Sequence, residues 1–403
     1  MARTRQVPPP NVGMSSRLSS LVLLTVIPMP LIRETLRQEA KQSKRERKLP
    51  ADALVLLIIF MAFYPDYNTH GVFEAMYSDI FPGMIPDKSA KVGDAAISQA
   101  RQRLGDKVME KLFRAVCKPM AGKDTCGAWY RDWRLMAVDG SEVDLPDEKE
   151  ILEEYPKHRN DTGDYPFPQL KYAALLEVGS RAYTEVAIGN DRDSEMSLAA
   201  KVEDALEPGM LLLGDRYYSG VENMERVAGR GADFLFRVRG NVGLKPVRRL
   251  KDGSYLATLR EGNAKGRGRR SVLVRVVEYK VKTGRGGGFV AVRLVTGILD
   301  PDAAPALELA NLYSRRWNVE TGFREIKSAL RMKQKTLRSK LPGLARQEFW
   351  GVLLAHYVIK RIIHDAGVAN GMAPHDISTK NTIHIIKQFA KGRFFFPQGG
   401  QPG

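Results

Sequence analysis

The sequence predicts an α/β protein: a helical amino-terminal region, then a mixed sheet carrying helices, with a β-rich stretch inserted before the last helices. Three observations carry that expectation. From Leu31 to about Met120 apolar residues recur at helical spacing, broken at Pro50, Pro65, Pro82 and Pro86. From about Trp133 the period shortens to strand-like apolar runs separated by turn residues and single helices. After Asp300 the helical period returns in long amphipathic stretches.

Length and charge limit what such a chain does. At 403 residues it can build more than one domain with a real core, and 43% hydrophobic residues exclude a mainly disordered chain. Lys and Arg number 63 against 46 Asp and Glu, a net +17. An excess of that size favours nucleic acid or an anionic membrane surface as partner and says nothing about fold. Cys117 and Cys126 make no disulfide framework and no zinc array, which fits a reducing cytoplasm, and the histidines are scattered without metal-ligand spacing.

The membrane reading fails on the chain itself. Arg3 and Arg5 precede an apolar run, Leu21 to Met29, but Pro28 and Pro30 interrupt it and no small-residue cleavage site follows. The run Ala53 to Tyr64 is too short for a span, which needs about twenty residues, and reads as a core helix. Basic residues cluster before it, from Lys41 to Lys48, and Arg101, Arg103 and Lys107 sit among apolar positions further on. Such clusters are more often solvated faces than sites.

Next comes the sheet. WRLMAVDGSEVDLPD gives a short strand, Leu135 to Val138, ending in Asp139 and Gly140. Lys171 to Val178 and Ala182 to Ile188, split by Gly179 and Ser180, read as a hairpin. A helix, about Ser194 to Leu206, stops at Pro208-Gly209, and MLLLG forms a buried strand with Asp215 just beyond it. Ser219 and Glu222 form a capping box for the next helix, and Phe234 to Val238 is a fifth strand. Strand, hairpin, helix, strand, helix, strand is the order of a ribonuclease-H-like mixed sheet, whose carboxyl edge is open to chemistry.

Between Val238 and Asp300 three basic strand-like runs, Tyr255 to Leu259, Ser271 to Val281 and Phe289 to Leu299, are joined by glycine-rich loops without the phosphate-binding GxxxxGK[ST] pattern. Arg346 to Ala366 and Thr382 to Phe389 read as the closing helices.

The helix Leu307 to Arg331 is the most informative stretch. On a wheel of about 100° per residue, Leu309, Leu312, Val319, Phe323, Ile326 and Leu330 fall in one arc. Beside them lie Tyr313, Arg316, Glu320 and Lys327, joined by Trp317, Arg324 and Arg331. At about 1.5 Å per residue, the stripe from Tyr313 to Lys327 spans roughly 21 Å, a length that suits a polyanion. A lone Glu among arginines is ordinarily a surface partner for Arg316 and Arg324.

The uninterrupted spacing of Tyr313, Arg316, Glu320 and Lys327 closely resembles the signature helix of DDE-class insertion-sequence transposases of the insertion sequence 4 family. Asp139-Gly140-Ser141 with Leu145-Pro146-Asp147, and Gly214-Asp215-Arg216-Tyr217, resemble that family's two aspartate motifs, and Leu49 through Ser98 to Gly105 its amino-terminal domain. The resemblance implies that Asp139, Asp215 and Glu320 are the catalytic acids and hold two Mg²⁺ (or Mn²⁺). Hard oxygen ligands suit such ions, which act on both oxygens of an in-line displacement. It implies that water frees a 3′-hydroxyl at a transposon end, which then attacks target DNA, while Tyr313, Arg316, Lys327, Trp317, Arg324 and Arg331 contact DNA. Glu325, Glu308 and Asp302 are the acids next in line should Glu320 fail. The expected partners are double-stranded DNA, as inverted-repeat ends and target, and further copies of the chain in a homodimer or higher oligomer; the expected place is the cytoplasm, at the nucleoid, with no membrane. The expected division is a helical DNA-binding domain at 1–130, a catalytic domain at 131–240 and 300–390, the insertion at 241–299 and a tail at 391–403. The competing readings are a catalytically silent DNA-binding protein of the same fold and a metal-dependent nuclease without strand transfer.

Overall fold

A computed structural model describes residues 23–43, 49–76, 92–160, 163–261, 270–282, 288–316, 322, 325 and 336–389. Helices come first: α1 (Met29–Gln38), α2 (Ala51–Phe63), α3 (Thr69–Ala75), α4 (Asp94–Leu104) and α5 (Lys107–Val116). Every residue of α2 from Ala53 to Phe63 is buried. A helix apolar on all sides has to be surrounded, and α1 and α10 (Pro342–Ala369) pack against it. At Gly351 of α10 the two backbones meet so closely that a β-carbon would stand 2.7 Å from the Ile58 carbonyl oxygen. Among the described residues no helix is long and apolar enough to cross a membrane.

Strand β1 (Trp133–Asp144) is longer than its apolar run predicts. It continues past Asp139 because β2 (Gln169–Glu177) stays paired with it, Asp139 opposite Ala174 and Asp144 opposite Gln169. Asp139 therefore stands within a strand, where the sequence reading put it at a strand's end. The hairpin partner β3 (Ala182–Gly189) follows. Helix α7 (Glu195–Glu203) leads to β4 (Met210–Gly214), parallel to β1 on its other side, and α8 (Val221–Gly229) to β5 (Asp233–Arg237), parallel to β4. A short helix, α6 (Lys149–Glu154), precedes β2. The order β3-β2-β1-β4-β5, antiparallel in its first half and parallel after, is the ribonuclease-H-like sheet that was expected.

The β-rich stretch does not stand apart. Its last strand, β9 (Phe289–Thr296), pairs with β5, and β8 (Ser271–Lys282), β7 (Tyr255–Arg260) and β6 (Pro246–Arg249) extend the same sheet beyond it. One face, with Leu135, Ala137, Leu211 and Leu213, packs on α9 (Ala306–Tyr313), α10 and the amino-terminal helices. The other face, with Met136, Val138 and Leu212, packs on α7 and α8. Helix α11 (Thr379–Phe389) closes against α10.

Two local expectations change. The capping box does not form: the Ser219 hydroxyl donates to the Arg216 carbonyl at 2.9 Å and α8 begins after Gly220. Arg101 is not a solvated cation. Its guanidinium is buried and donates to Gln347, Ser339 and the Leu344 carbonyl at 3.2, 3.1 and 2.9 Å. Of the basic cluster Lys41 to Lys48, residues 44–48 lie outside the described residues, and Lys41 donates to the Arg103 carbonyl at 2.8 Å.

Candidate active site

The site begins with a register. Ala137 of β1 and Leu213 of β4 are the last paired residues of the parallel ladder. Two residues further along each chain stand Asp139 and Asp215. Alternation keeps Asp139 on the side of Ala137, the face that α9 covers, Asp215 follows one residue past the end of β4, and adjacent strands run about 4.8 Å apart. Two aspartates thus occupy matching positions in the chain where the parallel pairing ends.

Their surroundings differ. Burial pushes the Asp139 carboxyl up to about 7, with repulsion from Glu195 and Asp215 adding to it and the Gly140 N–H and Arg316 opposing it. The Gly140 N–H donates to Asp139 Oδ1 at 3.0 Å. Asp215 is half-buried and accepts the Tyr217 N–H at 2.7 Å, a local turn that aims its carboxylate. The Tyr313 hydroxyl donates to the Gly214 carbonyl at 3.3 Å, and burial pushes that phenol up to about 12. Arg316 stacks over the Tyr313 ring, 6.0 Å from its centroid.

The predicted helix from Leu307 is not one regular helix. The α-form ends at Tyr313 and a 3-10 turn covers Ser314–Arg316, where the Ser314 hydroxyl bonds back to the Asn311 carbonyl at 2.7 Å. Glu320, Lys327, Trp317, Arg324 and Arg331 lie outside the described residues. The acids next in line are engaged elsewhere: Glu308 accepts from the Tyr130 hydroxyl at 2.7 Å, Asp302 pairs with Lys251 and Glu325 with Lys360.

Glu195 was not singled out from the sequence. It opens α7 behind the Ser194 cap, accepts from the Tyr218 hydroxyl at 2.6 Å, and lies so close to Gly140 that a β-carbon there would be 2.5 Å from its Cδ. A cleft of about 420 Å³ lined by Glu142, His158, Lys171, Glu195 and Tyr217 adjoins it. Tyr217, 44% exposed, also lines a larger groove of about 1280 Å³ that passes Arg226, Lys245 and Arg260 between α8 and the strands β6 and β7.

Carboxylate oxygens on one strand and just beyond its parallel neighbour, one of them destabilised as an anion by burial, are the donor chemistry that Mg²⁺ takes. Among the described residues no group of three or more acids, histidines and cysteines is close enough to hold a metal.

The family described as transposase DDE domain matches residues 131–358, from just before β1 into α10. The chain belongs to that family. DDE transposases catalyse DNA cleavage and strand transfer, so the paired aspartates sit in an enzyme of DNA transposition whose relatives are in general divalent-metal dependent. The insertion element 4 transposase N-terminal family matches residues 17–114. Transposase InsG for insertion sequence element IS4 of Escherichia coli (strain K12) is 29% identical over 376 residues, covering 93% of this chain and 82% of that one. A solved structure, the piggyBac transposase synaptic complex with hairpin DNA, aligns with a TM-score of 0.48 at 11% identity, covering 96% of this chain and 85% of that one.

Proposed function

We propose that Asp139 and Asp215, joined by Glu320, form the centre at which this transposase cuts DNA at its element's ends and joins the freed ends to target DNA. The observation that carries the reading is the position of the two aspartates, each two residues beyond the Ala137–Leu213 pair, with Asp139 half-buried and its carboxyl raised by burial. The same three residues would hold Mg²⁺ or Mn²⁺, which when bound supply the charge that activates the attacking oxygen and stabilises the leaving one. The chain does the rest. The Gly140 and Tyr217 N–H groups orient the two carboxylates, and Arg316 offers a cation to a phosphate beside them. Tyr217 presents an exposed ring on which a base can stack, and Arg226, Lys245 and Arg260 line the onward groove for the backbone. Lys327, Trp317, Arg324 and Arg331 extend this contact, with the helical region 1–130 recognising the ends. Joining two ends to one target requires both to be held together, so the chain acts on DNA as a homodimer or larger assembly.

Asp139→Asn and Asp215→Asn test the reading. Each should bind a duplex carrying the element's own end as tightly as wild type in EDTA and should release no 3′-hydroxyl in Mg²⁺. Cleavage at the wild-type rate by either variant overturns the assignment.

A further inference from the structure

Beyond Arg316 the structure describes two residues of the signature stretch, Gly322 and Glu325, both helical. Three apart, they share a face. A β-carbon on Gly322 would come within 2.9 Å of Leu176 Cδ2. The helix therefore lies close on β2 at a residue paired with Ala137, two positions before Asp139. One turn on, the Glu325 side chain, 12% exposed, is met from three elements. Lys360 Nζ and His356 Nε2 of α10 stand 2.6 and 3.5 Å from Oε2. The Thr379 hydroxyl of α11 donates to Oε1 at 2.8 Å, and Arg181 in the β2–β3 turn lies 3.5 Å from the same oxygen. Lys360 is itself buried and donates onward to Thr379 at 2.8 Å. Burial acts to raise the Glu325 carboxyl, yet His356 and Lys360 hold it below the usual range.

A buried ion pair adds little stability over a well-packed apolar pair, but it punishes misplacement severely. A slip of one residue would turn this carboxylate by about 100° and shift it by about 1.5 Å, stranding Lys360 without its anion. An apolar stripe alone would tolerate such a slip more easily.

We propose that Glu325 is a positioning residue: gripped by Lys360, Thr379, His356 and Arg181, it fixes the rotation and register of the signature helix and so sets where Glu320 meets Asp139 and Asp215. The inference rests on the three-acid reading above. Glu325 touches neither DNA nor metal in this role.

The test uses the full chain, a duplex carrying the element's own end, and Mn²⁺ as the metal probe. Glu325→Gln is compared with the pair Glu325→Leu/Lys360→Met, which removes the carboxylate and the Lys360 charge together. Both should bind the duplex in EDTA as wild type does. At saturating duplex both should cleave about tenfold or more slowly, and Mn²⁺ binding without turnover, followed by electron paramagnetic resonance, should weaken about tenfold. Glu325→Asp, with the charge on a shorter stem, should recover part of both. Wild-type cleavage and Mn²⁺ binding in the pair variant overturn the inference, and so does a loss of cleavage that only matches the loss of folded protein in a thermal melt. Glu320→Gln separates the two claims. If it cleaves normally the three-acid reading fails; if it is dead while the pair variant is normal, the grip alone fails.

Discussion

Tyr313 donates its hydroxyl to the carbonyl of Gly214 at 3.3 Å, so α9 holds the end of β4 one residue ahead of Asp215. Tyr313→Phe removes that bond and keeps the ring. Stability should fall by about 1 kcal/mol in urea unfolding, and single-turnover cleavage should slow several-fold while DNA affinity holds. Unchanged stability with weakened DNA binding would assign the hydroxyl to DNA instead.

Arg101 gives the sharpest departure from its sequence pattern. Burial pulls its guanidinium down to about 10, and it joins α4 to Gln347 and to the Ser339 and Leu344 positions. Arg101→Ala should cost about 3 kcal/mol in chemical unfolding, because buried acceptors lose a charged donor. The salt dependence of DNA affinity should not move. A slope reduced by about one phosphate's worth would restore Arg101 to the DNA surface.

Glu348 sets an acid limit. It is buried and accepts from Arg338 Nε at 3.0 Å and from the Ser339 hydroxyl at 2.6 Å. Burial acts to raise its carboxyl, but Arg338 and Arg101 hold it below the ordinary value. A carboxyl depressed in the folded state contributes stability above its unfolded pKa of about 4.3, and the contribution drains away as pH falls through the folded value. Glu348→Gln should be less stable at pH 7 and should lose less stability than wild type between about pH 5 and pH 3. Parallel acid limbs in the two proteins, measured by circular dichroism, would refute this.

The close approach of Gly351 to the Ile58 carbonyl, 2.7 Å from where a β-carbon would lie, leaves no room for alanine. Gly351→Ala should lower stability by about 1–3 kcal/mol through displaced backbone. By the same packing, a chain starting near Trp133 should aggregate, since it bares the buried side of α10. Recovery of a monodisperse, cooperatively melting fragment would show that α10 does not need α2.

The net +17 predicts binding dominated by released counterions. The log of affinity should fall linearly with log salt by about 0.9 per phosphate neutralised. A flat dependence would mean that the charge serves another purpose.

What could be read from the chain follows the range of the forces involved. MLLLG before Asp215 is legible because five apolar residues between turn signals have few other fates than a buried strand. Asp139 was placed at a strand's end because apolarity stops at Val138, yet the strand is carried on by its pairing with β2, some thirty residues later. Glu195 left no local trace, since what brings it to Gly140 is the path of α7 back across the sheet. Arg101 looks like a surface cation on any wheel, and its partner Gln347 lies 246 residues away. The continuity of β9 with β5 was equally out of reach, because strand composition does not name the neighbour.

The embrace of α2 by α10 also has a history in time. Ribosomes add about 5–20 residues per second, so roughly a quarter of a minute to a minute separates the emergence of the two helices. Throughout that interval the apolar run Ala53 to Phe63 is covered only by the amino-terminal helices and lacks α10. Newly made chains should therefore lean on chaperones until α10 has been made, and a message cut short before Pro342 should yield protein that is cleared, not a truncated competitor for DNA.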